Sequence, residues 1–165
     1  MGRQQLYGSN RDMTIDQATR QAGQTVKNHF SVKELVSPEI YEDLGDASLR
    51  LIPSIVMDRL NALREALGAP IMVNNWEFGG MYRYRGIRPT TCPEGASRSR
   101  HKLTVPGVTA FDLKCSRLSK LVTLVRSRSR EFGIVRIENP NVTKTWLHVE
   151  FCDSADVGEL IAFDP

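Results

Sequence analysis

An apolar stripe in the first half of the chain constrains its fold more than any other feature. Ile52, Val56, Leu60, Leu63 and Leu67 recur at intervals of three or four residues. That spacing lines one face of an α-helix and would scatter over both faces of a strand. Pro53 stands at the start, where a missing N–H is tolerated, and Gly68 followed by Pro70 stands just past the end. The longest helix is therefore expected from Pro53 to Leu67, with a single apolar face that other elements must cover.

Shorter signals surround this helix. Ser31 and Glu34 have the spacing of a capping box, and Ser37-Pro38-Glu39 reads as an N-cap followed by proline at the first helical position. Pro70 to Asn74 reads as a buried strand, Val108 to Leu113 as another, and Ser116 to Glu131 as a second amphipathic helix. Gly133 to Ile137 and Thr145 to Phe151 read as the two strands of a hairpin. Residues 1–27 are polar and aperiodic, an N-terminal extension with at most a short helix over 14–22. The domain is expected over 28–165, with His29 anchoring its start by a hydrogen bond. Helices first, then strands mixed with one helix, indicate an α+β domain with a small antiparallel sheet flanked by helices.

The bulk properties exclude several classes. A chain of 165 residues buries roughly 68–70% of its unfolded surface, so neither a disulfide nor a metal is required merely to fold. Cys92, Cys115 and Cys152 form no CxxC pair and do not make a disulfide framework. The net charge of +3 is mild. Arg83, Arg85, Arg88, Arg98, Arg100 and Lys102 make the centre of the chain basic, yet no nucleic-acid-binding module accompanies them. The opening MGRQQLYGSNRDMT has no apolar signal region, and no apolar run approaches the roughly 20 residues of a membrane span.

Residues 83–107 carry no period, and an irregular stretch of that length inside a compact domain is usually functional or disordered. His101 lies within it, ahead of the strand that carries Asp112, and His148 lies in the strand Trp146-Leu-His-Val-Glu150. Catalytic zinc sites use three protein ligands drawn from His, Asp and Glu and leave a fourth position open to water. A carboxylate nearby then serves as general base. Spacing alone leaves open a structural role for each of these residues.

Motif order adds to this. Ser99-Arg-His101, followed by Gly107-Val-Thr-Ala110-Phe-Asp112, resembles the S-x-H-x-x-G-x-A-x-D motif of the zinc D-Ala-D-Ala carboxypeptidase family. L-alanyl-D-glutamate endopeptidases and many phage lysis enzymes belong to that family. Trp146-Leu-His148-Val-Glu150 resembles its second motif, and Arg85-Gly86-Ile87-Arg88 resembles its S-G-x-R element without the serine. Asn28-His29-Phe30-Ser31 and Val73-Asn-Asn-Trp76 resemble a phage and prophage branch. The resemblance spans about residues 28–152 and implies the compact α+β domain shared with hedgehog signalling domains.

It also implies one Zn2+ per chain on His101, Asp112 and His148. Arg88 would hold the substrate carboxylate or polarise the scissile carbonyl, and Ser99 and Trp146 would lie at the substrate. The implied partner is a peptidoglycan stem peptide, with neither nucleic acid nor membrane insertion. Synthesis in the bacterial cytoplasm without a signal peptide is expected, with action on the wall after release or from a virion, as a monomer unless part of one. Two departures stand out. His101 and Asp112 are eleven positions apart where the family has seven, with Lys102-Leu-Thr-Val-Pro106 as the insertion. Thr145 occupies the position, three before the last histidine, that carries the general base in many members. Glu150, on the same strand face as His148, is then the expected base. The same departures motivate the alternative, a non-catalytic virion structural or cell-wall-binding module that keeps the fold.

Overall fold

The computed structural model describes residues 27–165. The polar extension, apart from its last residue, and the helix expected over 14–22 lie outside the described residues. The His29 N–H donates to Asn61 Oδ1 at 2.8 Å, and the His29 ring lies 3.1 Å from Glu65. The start of the domain is thereby tied to the long helix, as expected.

α1 (Val32–Leu35) opens on the capping box: Ser31 Oγ accepts from the Glu34 N–H at 3.2 Å, and the Glu34 carboxylate accepts from the Ser31 N–H at 3.1 Å. α2 (Pro38–Leu44) starts on Ser37 with proline in its first turn, and a 3-10 turn over Gly45–Leu51 leads into α3 (Ser54–Leu67). Val56, Leu60, Leu63 and Leu67 are fully buried. Gly68, at φ 66°, adopts the left-handed conformation that only glycine enters without strain, and its N–H donates to the Arg64 and Glu65 carbonyls. α4 (Leu118–Arg128) is shorter at both ends than the 116–131 expected, and Arg126 and Arg128 sit in its last turn, where cations suit the helix dipole.

β1 (Val108–Leu113), β2 (Ile134–Glu138), β3 (Leu147–Cys152) and β4 (Ile161–Phe163) form one sheet in the order β1-β3-β2-β4. β3 pairs antiparallel with β1 and β2, whereas β4 runs parallel to β2. The α+β class stands, but the sheet is mixed rather than wholly antiparallel, because residues 153–160 pass the start of β2 and the chain enters β4 from that same end of the sheet. β4 is three residues long and has no apolar alternation to announce it. The strand expected over 70–74 is reduced to a bridge between Met72 and Lys114, closed by N–H···O bonds of 2.8 and 2.9 Å. Pro70 has no N–H to offer the ladder, and the Asn74 N–H donates to the Glu34 carbonyl at 3.0 Å instead.

Alternation along the strands separates packing from chemistry. Phe111, Leu113, Ile137, Leu147, Val149 and Phe151 face the core and are fully buried, each contributing roughly 1.5–3 kcal/mol of apolar burial. Asp112, Arg136, Glu138, His148 and Glu150 face the other way and line a cleft.

The aperiodic segment 83–107 forms one wall of that cleft and is pinned by backbone bonds. The Ile87 N–H donates to the Leu35 carbonyl and the Ser37 N–H to the Ile87 carbonyl, both at 2.8 Å. The Asp112 N–H donates to the Arg85 carbonyl at 2.8 Å, and the Arg88 N–H to the His101 carbonyl at 3.0 Å. Lys102 is buried, with its ammonium on the Cys92 carbonyl at 2.7 Å. At Gly86 a Cβ atom would strike the Leu35 carbonyl, so the close approach of these segments requires glycine. Gly86→Ala is expected to lower stability by about 1–3 kcal/mol in urea denaturation. Gly158→Ala, where a Cβ meets open space, should stay within about 0.5 kcal/mol.

Candidate metal centre

Asp112 and His148 are directly opposed in the β1–β3 register. The third member, His101, enters from a 3-10 turn over Arg100–Lys102 that caps the polar face of the sheet. The five residues between this turn and β1 do not hold the two apart. Leu103 (φ 52°) and Gly107 (φ 78°) reverse the chain, and the Asp153 N–H fixes the Gly107 carbonyl at 3.0 Å. His101 Nε2 lies 3.3 Å from Asp112 Oδ1 and 3.2 Å from His148 Nδ1, and His148 Nδ1 lies 2.8 Å from the same Asp112 oxygen. The two histidines are buried and Asp112 is half-buried. Together the three form a group able to hold a metal ion.

Proton accounting supports that capacity. His101 Nδ1 lies 3.0 Å from the Gly86 carbonyl, which only accepts, so Nδ1 carries the proton and Nε2 presents a lone pair. That lone pair faces a carboxylate oxygen and His148 Nδ1, which has one proton at most. The triangle therefore holds more lone pairs than protons, and a cation at its centre resolves the mismatch. The Gly86 carbonyl acts as the outer hydrogen-bond partner that orients metal-binding histidines.

The metal-free electrostatics are consistent with one another. Burial disfavours a charged His148 ring, but its contacts to Asp112 and to Glu150 outweigh burial and raise its pKa from 6.5 to about 9. Burial dominates at His101 and pushes its pKa down. Burial would raise the Asp112 pKa, yet the two histidines hold it well below the usual carboxylate range.

Around this centre the cleft encloses about 790 Å³, a volume suited to a short peptide. All the residues expected at a site line it: Arg88, Ser99, Trp146 and Glu150 beside His101, Asp112 and His148. Arg88 is only 8% exposed, its nearest acid is Glu94 at 3.8 Å, and its Nε has no hydrogen-bond partner among the described residues. Trp146 stacks under the Arg85 guanidinium, which in turn lies over Tyr82. Trp76 lies elsewhere, donating its indole N–H to the Val36 carbonyl.

Arg98 and Arg100 of the basic central segment line the cleft as well, while Arg136, Glu138 and Phe163, which also line it, were missed in the sequence. Arg100 Nε lies 3.5 Å and Arg136 Nη1 3.3 Å from the Glu150 carboxylate, and Arg136 also covers the Phe163 ring. Strict alternation about Ile137 would have found Arg136 and Glu138, since both lie opposite an obvious core position. Phe163 carried no signal, because its strand was not legible.

Comparison with family profiles, with curated proteins and with solved structures finds no match to this chain.

A metal ligand must be unprotonated, so binding at neutral pH expels a proton from His148. Zinc titrated calorimetrically at pH 7, in buffers of different ionisation enthalpy, is expected to release about one proton per ion from that residue. Below pH 7 zinc affinity is expected to rise about 10-fold per pH unit, because metal-free His148, with its pKa at about 9, must lose its proton at each of those pH values. Affinity that does not change over that range would show that His148 does not bind the ion.

Proposed function

We propose that the chain is a zinc peptidase that hydrolyses an amide bond in peptidoglycan stem peptides, on a hedgehog/DD-peptidase-like domain. The observation that carries this reading is the triangle of His101 Nε2, Asp112 Oδ1 and His148 Nδ1, with edges of 3.3, 2.8 and 3.2 Å. Zinc bonds of ~2.0–2.1 Å in a tetrahedron set ligand atoms roughly 3.3–3.4 Å apart. Two edges already match, and the third opens once the proton between His148 and Asp112 has left. Three ligands rather than four, at the base of an open cleft, is the pattern of catalytic rather than structural zinc. Zinc bound there supplies a Lewis acid and makes water acidic enough to attack near neutral pH.

The chain's own residues do the rest. Arg88 offers a buried guanidinium whose Nε has no partner and whose nearest acid is the exposed Glu94 at 3.8 Å, a fork that matches a peptide carboxylate or a developing oxyanion. The cleft wall from Gly95 to Arg100 and the Trp146 ring hold the peptide on either side. A cleft carboxylate takes the proton from the attacking water and returns it to the departing amine. Delivery to the wall by phage lysis or from a virion belongs to the same reading.

Plasma mass spectrometry of purified protein is expected to find close to one zinc per chain, lost in His148→Ala. The zinc-loaded protein should cleave stem peptides that end in D-Ala-D-Ala or contain L-Ala-D-Glu, and chelation should abolish cleavage. Arg88→Lys, which keeps the charge but loses the fork, should retain zinc while cutting kcat/KM at least about 10-fold. Zinc-loaded protein that binds peptidoglycan and cleaves nothing would favour the wall-binding module instead.

A further inference from the structure

Two carboxylates other than Asp112 face the cleft from the sheet, and their surroundings divide them sharply. Glu150 is 3% exposed and held on three sides: Arg100 Nε at 3.5 Å, Arg136 Nη1 at 3.3 Å and His148 Nε2 at 3.6 Å. With three donor-bearing neighbours around its two oxygens, it has little left to offer an attacking water. It does, however, sit on the Nε2 side of a histidine whose Nδ1 faces the metal position. That is the arrangement in which an outer carboxylate fixes the tautomer and ring orientation of a ligand.

Glu138 is placed differently. In the β2–β3 ladder Arg136 opposes Glu150 and Ile137 opposes Val149. One further step in that register sets Glu138 beside His148, itself opposite Asp112. Asp112, His148 and Glu138 therefore form one row across three neighbouring strands, all facing the cleft. On its outer side Glu138 neighbours Phe163 of β4, whose ring meets the His148 ring edge-on at 5.9 Å. Among the described residues the Glu138 side chain has neither a hydrogen bond nor an ion pair. Burial raises its pKa, and Asp112 and Glu150 add to the rise while His148 opposes it.

We propose that Glu138 is the general base of this centre and that Glu150, the base expected from the β3 strand, positions His148. The assignment rests on the zinc-peptidase reading. Glu138 accepts a proton from the attacking water as the new C–O bond forms at the scissile carbonyl. The same carboxyl group then gives that proton to the amine nitrogen as the C–N bond breaks. Water is consumed, one carboxyl and one amine are released, and Glu138 ends ionised as it began. Arg136 and Arg100 keep Glu150 charged and fixed, so that His148 Nε2–H has a constant acceptor.

Paired variants of the full chain test this, with zinc affinity from competition with a fluorescent indicator read beside stem-peptide hydrolysis. Glu138→Gln is expected to bind zinc as the wild type does while kcat falls ~10²–10⁴-fold. Glu138→Asp, which keeps the carboxylate one methylene back, should recover part of that loss. Glu150→Gln is expected to weaken zinc binding ~10–100-fold, with hydrolysis restored in large part at saturating zinc. Glu138→Gln with full activity, or with zinc weakened as much as in Glu150→Gln, would overturn the assignment. So would Glu150→Gln that binds zinc normally and is inactive, which returns the base to Glu150. A zinc-loaded wild type that hydrolyses no stem peptide would instead sink the peptidase reading itself, and the base with it.

Discussion

The centre depends on the antiparallel register of β1 against β3. Asp112 stands opposite His148 while Phe111 stands opposite Val149, so every second residue builds the core and those between build the cleft. Because side chains alternate with a period of two, a slip of one residue would bury Asp112 among apolar side chains and turn Phe111 into the cleft. The apolar contacts on one face thus enforce the metal-binding geometry on the other. Phe111 and Phe151 meet edge-on at 6.0 Å directly beneath the polar row. Register costs nothing extra here, since burying those rings already demands it.

The sheet supplies only two of the three candidate ligands. His101 comes from an irregular segment, which must be held as firmly as a strand without being one. Its anchors are distributed: Gly86 packed on the Leu35 carbonyl, Ile87 bridging to Val36, and Lys102 spending its ammonium on the Cys92 and Gly95 carbonyls. Much of the basic character of this segment is therefore not a solvated surface. Lys102 is interior scaffolding, Arg85 is sandwiched between Tyr82 and Trp146, and Arg88, Arg98 and Arg100 line the cleft. Between His101 and Asp112 the chain reverses at Leu103 and Gly107, so eleven positions still leave the two side chains 3.3 Å apart.

Legibility in the sequence followed the range of the interactions involved. α3, the capping box at Ser31 and the N-cap at Ser37 depend on residues three or four apart, and each was readable from its own segment. β1, β2 and β3 were readable because one face of each is apolar. β4 was not, as Ile161-Ala-Phe163 is held by a neighbour more than twenty positions away. The strand over 70–74 failed for a related reason: its apolar residues fill the core, but Pro70 and Asn74 deny it a ladder. The seven expected site residues do share one cleft, yet the different surroundings of its carboxylates were illegible. Glu150 follows His148 by two positions and draws notice for that, whereas the arginines that immobilise it and the register that brings Glu138 to the cleft are tertiary facts.

Charge balance is the last constraint. Arg88, Arg98, Arg100 and Arg136 line the cleft against Asp112, Glu138 and Glu150. Two of the four arginines are committed to Glu150, and Asp112 is paired with the two histidines. Arg88 remains buried with its strongest partner 3.8 Å away, and Arg98 is exposed at the rim. A buried guanidinium without a full complement of acceptors costs several kcal/mol unless a ligand completes it. The metal-free protein therefore retains an unfilled demand for negative charge, close to the centre and on the side of the cleft away from the sheet. A divalent ion would deepen that demand rather than satisfy it. On the peptidase reading proposed above, the substrate that fits this field carries a carboxylate near the scissile amide, at a peptide terminus or on an acidic residue, rather than being a neutral chain.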